Sequence, residues 1–190
     1  MPKIVRYLGL VATAATLSGC WEAETPLMPV TAKDTPKVSG TFDRLPKGKN
    51  GSISINPASA RQFQLIEIKA DGSKDMSMIS LDQLDVPQEP GSITAEGPIY
   101  ILESQAGPNM KEVNYSLVFS FVQDGETIQL VHVEPACSKT AMRIIGVTNI
   151  AEKKCIFKSY DQVRAAALDA MDWLKDARIS PQSETYLKRE

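Results

Sequence analysis

Histidine and cysteine are scarce in this chain, whose 190 residues include one histidine and three cysteines. That scarcity excludes most metal centres and most catalytic sets that depend on imidazole or thiolate groups. An excess of positive charge is absent as well, because the formal net charge is −2, so nothing indicates a nucleic-acid partner. Hydrophobic residues make up 43% and charged residues 23%, which is typical of a globular protein.

The sequence also lacks the motifs of the common enzyme classes. It contains no Gly-x-Ser-x-Gly elbow, Walker loop, dinucleotide fingerprint or His-Glu-x-x-His pair. His132 lies in a strand-like stretch with Glu134 on the same face, a pair that could hold a proton or contribute to a metal site. Such a histidine is more often hydrogen-bonded at the edge of a core. We therefore predict a non-enzymatic protein with no catalytic residue, no metal site and no cofactor.

The first twenty residues have the parts of a secretory signal. Lys3 and Arg6 supply the positive region, and residues 7–17 (YLGLVATAATL) form an uncharged apolar stretch. This stretch is too short to span a bilayer, which requires about 20 apolar residues. It ends in the tetrapeptide Leu17-Ser18-Gly19-Cys20.

The tetrapeptide resembles the lipobox of bacterial lipoproteins. The resemblance implies cleavage between Gly19 and Cys20, a diacylglycerol on the Cys20 thiol, and an acyl chain such as palmitate on the new amino group. It also implies a membrane-anchored protein of the bacterial cell envelope that faces the periplasm. An aspartate after the cysteine commonly retains such proteins in the inner membrane, and Trp21 in that place favours the outer membrane. We expect Trp21 at the level of the lipid headgroups.

Lipidation of Cys20 leaves Cys137 and Cys155 as an even pair. The periplasm is oxidising, so the pair predicts a disulfide. Closing a loop of this size stabilises the fold by roughly 3 kcal/mol in the chain-entropy model. A metal pair or a reactive thiol is the alternative, but neither cysteine belongs to a Cys-x-x-Cys motif.

The chain divides into a signal peptide over 1–19, a lipidated tether over 20–38, one globular domain over 39–180 and a flexible tail over 181–190. The tether is predicted from its prolines and the lack of any helical or alternating pattern. Within the domain, Ser159 and Gln162 form a capping-box pattern, and apolar residues recur at helical spacing, which predicts a helix over about 159–178.

Short alternating segments predict β-structure in the rest of the domain. The predicted strands cover 63–70, 76–81, 99–102, 113–122, 127–133, 142–147 and 155–157, and Asp124-Gly125 predicts a hairpin between the fourth and fifth of them. The fold class is therefore α+β and mainly β. We expect an antiparallel meander, as a small barrel or a sandwich, followed by one C-terminal amphipathic helix.

Three functions of different class fit these features. The first is a non-enzymatic envelope component whose tethered domain binds another protein or contributes to assembly at the membrane. The second is a carrier of a small apolar ligand, because Val38-Ser39-Gly40-Thr41-Phe42 resembles the opening of lipocalins, with Phe42 where that family has tryptophan. A hydrolase that uses carboxylates or His132 is the third alternative.

Overall fold

The computed structural model describes residues 21–29, 39–45, 51–59, 62–86, 98–123, 127–133, 155–175 and 182–188. The protein is mainly β, with a largely antiparallel sheet and one C-terminal helix among these residues, and this confirms the predicted fold class. The strands are β1 Trp21–Ala23, β2 Gly40–Arg44, β3 Ser52–Pro57, β4 Gln62–Ile68, β5 Lys74–Leu84, β6 Ile99–Ala106, β7 Glu112–Gln123, β8 Thr127–Val133, β9 Cys155–Phe157 and β10 Gln182–Lys188. The helix α1 spans Tyr160–Lys175, and a short 3-10 turn spans Pro108–Met110.

Eight strands pair antiparallel in a continuous circuit, which we call the strand ring. Strands β2 to β8 pair in sequence order, β10 pairs with β8, and β10 also pairs with β2. Each strand of the ring therefore has a hydrogen-bonded neighbour on both sides. All ten described strands belong to one sheet. A sandwich requires two packed sheets, so the described strands do not form a sandwich.

Alternation along the strands gives the ring an inner and an outer face. The inner face carries a cluster of buried side chains that is 3–7% exposed: Phe42, Ile53, Ile55, Phe63, Ile79, Leu81 and Tyr100. A second cluster covers the outer face of β5, β6 and β7: Leu84, Ile99, Ile101, Val113, Tyr115 and Leu117 pack there with residues of β1, β9 and α1. Strands β5 and β6 are thus buried on both faces.

Helix α1 packs on this outer face through small residues. Its buried side chains are Val163, Ala166, Ala167, Ala170 and Met171. The helix begins as predicted, because the Ser159 hydroxyl accepts a hydrogen bond from the Gln162 backbone N–H at 3.4 Å. The Gln162 side chain in turn accepts one from the Lys158 N–H at 2.8 Å. The two bonds satisfy N–H groups at the helix start, in the manner of a capping box.

The hairpin predicted at Asp124-Gly125 is confirmed by the pairing of β7 with β8, in which Gln123 lies opposite Thr127. Strands β4, β5, β6 and β9 lie at their predicted places, although β5 and β6 extend beyond the predicted ends. The segment predicted as a strand over 142–147 lies outside the described residues.

The structure places a strand in each of the two segments that were predicted as tether and tail. The start of the expected tether is instead strand β1, which pairs antiparallel with β7 and parallel with β9. Trp21 is only 1% exposed in the core, so it does not lie among lipid headgroups. The expected flexible tail contains β10, which pairs with β8 and β2.

Candidate functional site

A carboxylate on the outer face of the ring holds the beginning of the described chain. Glu103 of β6 is 2% exposed, and its Oε2 atom accepts hydrogen bonds from the backbone N–H groups of Leu27 at 2.9 Å and Met28 at 2.8 Å. The Tyr115 hydroxyl donates a third hydrogen bond to the same oxygen at 2.7 Å. A buried carboxylate is costly unless it is hydrogen-bonded, and these three donors compensate its desolvation.

Tyr115 takes part in the same network as both donor and acceptor. Its hydroxyl oxygen accepts a hydrogen bond from the Leu27 N–H at 3.0 Å. Burial raises the pKa of Tyr115 well above its usual range, and the hydrogen bond to Glu103 raises it further. The phenol therefore stays protonated and acts as a structural donor.

A second carboxylate joins β5 to α1. Asp82 is 5% exposed, and its Oδ2 atom accepts hydrogen bonds from the Tyr160 hydroxyl at 2.6 Å and from Arg164 at 3.2 Å. Burial, together with the bond to Asp82, also raises the pKa of Tyr160. These bonds occupy the Asp82 oxygen with groups of the helix, so the network positions α1 on the sheet.

Among the described residues, a cleft of about 810 Å³ opens at one end of the ring. The β4–β5 and β6–β7 hairpins turn side by side there, since Glu67 lies opposite Asp75 and Ala106 opposite Glu112. The cleft is lined by Glu22, Ala23, Leu65, Glu67, Lys74, Asp75, Met76, Ser77, Ala106, Gly107, Lys111, Glu112, Val113 and Asn114. Its volume lies within the range of about 300–1,000 Å³ that is usual for small-molecule sites.

The lining combines charges of both signs with apolar side chains. Two of its carboxylates are paired: Glu67 lies 3.4 Å from Arg44, and Asp75 lies 2.7 Å from Lys69. The hydrogen bond to Asp75 raises the pKa of Lys69. The apolar part includes Met76, which is 50% exposed. A ligand or peptide with both an apolar body and polar groups fits such a surface.

Of the three cysteines predicted to be lipidated or bridged, only Cys155 lies among the described residues. Cys20 and Cys137 lie outside the described residues, so lipidation and the Cys137–Cys155 pairing stay predictions. Cys155 is disulfide-bonded and 1% exposed. The backbone of His132 pairs with Val118 and Gln182 inside the sheet.

Neither a family model, nor a curated protein, nor a solved structure matches the chain. Across the described ranges, no helix has the length and apolar character needed to cross a membrane. Within the same ranges, no group of three or more His, Cys, Asp or Glu side chains is arranged to hold a metal ion.

The sequence motifs singled out neither Glu103 nor Asp82, and the structure shows both buried. The sequence does contain a signal for the burial of Glu103. When the strand alternation is followed past Leu102, Glu103 falls on the same face as the apolar Ile99 and Ile101. The burial of Asp82 has no comparable signal, since it depends on a helix that begins 78 residues later in the chain.

Proposed function

We propose that this chain is a lipid-anchored protein of the bacterial cell envelope, facing the periplasm and residing in the outer membrane. Its domain acts as a non-enzymatic binding or assembly component, and the cleft at the end of the strand ring is its binding surface. The cleft is the observation that carries this proposal, because it combines a suitable volume with both apolar and charged lining groups. Cys20 supplies the anchor.

The position of β1 supports the proposed processing site. Cleavage between Gly19 and Cys20 would keep strand β1, Trp21–Ala23, in the mature chain. The acyl chains would then be joined one residue before the first described strand. More than one chain is needed for stable attachment, since a single acyl chain binds a bilayer reversibly.

Mass spectrometry of the protein purified from membranes in mild detergent tests both halves of the proposal. We expect an N-terminal peptide that begins at Cys20 and carries diacylglycerol and an amide-linked acyl chain, together with a stoichiometric protein partner. Cys20→Ser should abolish the lipid. An unmodified Cys20 would overturn the anchor, and a lipidated chain without any protein partner would overturn the assembly role.

Paired variants locate the partner on the cleft. Met76→Arg places a charge on the exposed thioether of the lining and should remove the partner from the purified protein. Leu168→Arg is the matched control, because Leu168 is 43% exposed on α1 and does not line the cleft. Equal loss of the partner in both variants, or in neither, would argue against the cleft as the binding surface.

The ring of eight paired strands favours a second candidate function, that of a lipocalin-like carrier of a small apolar ligand. A lipid or metabolite retained in the same purification, without a protein, would support the carrier. The described inner side chains pack against one another, so such a ligand would enter from the cleft and not lie among them.

A further inference from the structure

The described part of the domain begins one residue after the proposed lipid attachment site. Trp21 is the first residue of β1 and is 1% exposed, with its ring edge-on to Phe157 at 5.5 Å between centroids. Strand β1 lies between β7 and β9 and pairs with both. The first described residue is therefore part of the core.

The segment that follows β1 is fixed to the ring as well. The backbone N–H groups of Leu27 and Met28 both bond to the buried carboxylate of Glu103. Both side chains also pack against the outer-face cluster. Residues 21–28 thus form a strap that is held at each end and supplies no free length between the anchor and the domain.

The covalent geometry of the backbone limits the distance between the domain and the membrane. Consecutive Cα atoms lie 3.8 Å apart, so an anchor on Cys20 is one peptide unit from the buried Trp21. We infer that the β1–β9 flank of the strand ring lies directly against the lipid headgroups of the bilayer. The inference rests on the proposed lipidation of Cys20. It places the domain in contact with the membrane, whereas a flexible tether would have held the domain away from it.

The same geometry sets the orientation of the rest of the ring. Strand β3 is four strands from β7 in both directions around the ring, so it lies on the side away from β1. The cleft, in contrast, includes Glu22 and Ala23 of β1. Its opening is consequently next to the membrane surface.

Quenching by labelled lipids tests the orientation in the full mature chain. A fluorophore is attached through Lys158→Cys, just after β9, or through the matched control Asn56→Cys on β3, both of which are exposed positions. The lipidated protein is placed in vesicles of phosphatidylethanolamine and phosphatidylglycerol that contain a nitroxide-headgroup lipid. We expect quenching at position 158 to be several-fold stronger than at position 56, and weak at both positions in Cys20→Ser.

Equal quenching at the two positions of a lipidated chain would overturn the inference, because it would show a domain that moves freely on its anchor. The mass of each preparation is measured first. A chain without diacylglycerol would overturn the proposed anchor itself, and the two failures are therefore distinguishable.

Discussion

Tyr115 and Glu103 lie directly opposite each other on β7 and β6, and the tyrosine hydroxyl donates a 2.7 Å hydrogen bond to the carboxylate. The carboxylate oxygen also holds the N–H groups of Leu27 and Met28. The pair therefore connects two neighbouring strands of the ring to the first segment of the domain. Its loss should affect the strap over residues 21–28 more than the remainder of the sheet.

A double-mutant cycle measures this connection. Glu103→Gln should lower the free energy of unfolding by about 1.5–3 kcal/mol, because it removes a charged acceptor of three hydrogen bonds. Tyr115→Phe should lower it by about 1 kcal/mol. Since the two residues share one bond, the double variant should lose about 1 kcal/mol less than the sum of the single variants.

Urea unfolding of the four chains gives these values. Asp85→Asn is the control, because Asp85 is an exposed carboxylate near the end of β5 and should change stability by less than about 0.5 kcal/mol. Strict additivity of the two core substitutions would contradict the shared bond.

Stability should fall in alkaline solution because of the buried tyrosines. The folded pKa of Tyr115 is raised, so above the ordinary tyrosine pKa of about 10 the unfolded chain loses a proton that the folded chain retains. The contribution of the protonated Tyr115 to the free energy of unfolding is complete below about pH 10, the ordinary tyrosine pKa, and is lost as the pH rises toward the folded pKa. Urea unfolding between pH 8 and 11 should show a shallower decline in Tyr115→Phe than in the wild type. Parallel declines would show that Tyr115 is not responsible.

Local patterns in the sequence were sufficient for helix α1 and the β7–β8 hairpin, whereas strands β1, β2, β3 and β10 were not predicted. The helix and the β7–β8 hairpin have capping, periodicity and turn signals within a few residues. Strand β1 has three residues, too few for any period, and its partners Asn114 and Ile156 are distant in the chain. The cleft has no local signal either, because it forms where two hairpins meet β1.

Asp82 should control how firmly α1 is held on the sheet. Asp82→Asn weakens the bonds from Tyr160 and Arg164 and should lower the free energy of unfolding by about 1–3 kcal/mol. Hydrogen exchange of the α1 amides should accelerate more than that of the β4–β5 hairpin. Asp172→Asn, an exposed position on the same helix, serves as the control and should change little. Equal acceleration throughout the domain would contradict a local role.

Removing residues 182–190 should destabilise the domain severely, in contrast to what a flexible tail would allow. Strand β10 pairs with β8 and β2, and its loss leaves two unpaired strand edges that are prone to association. Light scattering and the urea midpoint should both reveal the change. A chain that ends at Lys188 keeps β10 and should behave as the wild type. Unchanged stability after removal of residues 182–190 would contradict the pairing.

The disulfide of Cys155 offers a decisive check on the anchor. The chain has three cysteines, so the partner of Cys155 is either Cys20 or Cys137. Cys20 is a candidate because it precedes Trp21, which lies opposite Cys155 in the parallel pairing. A lipidated Cys20 has its sulfur in a thioether, so non-reducing peptide mapping should give a Cys137–Cys155 peptide. Cys137→Ser should then cost about 2–5 kcal/mol, while Cys20→Ser should leave the bridge intact. A linked Cys20–Cys155 peptide would contradict lipidation.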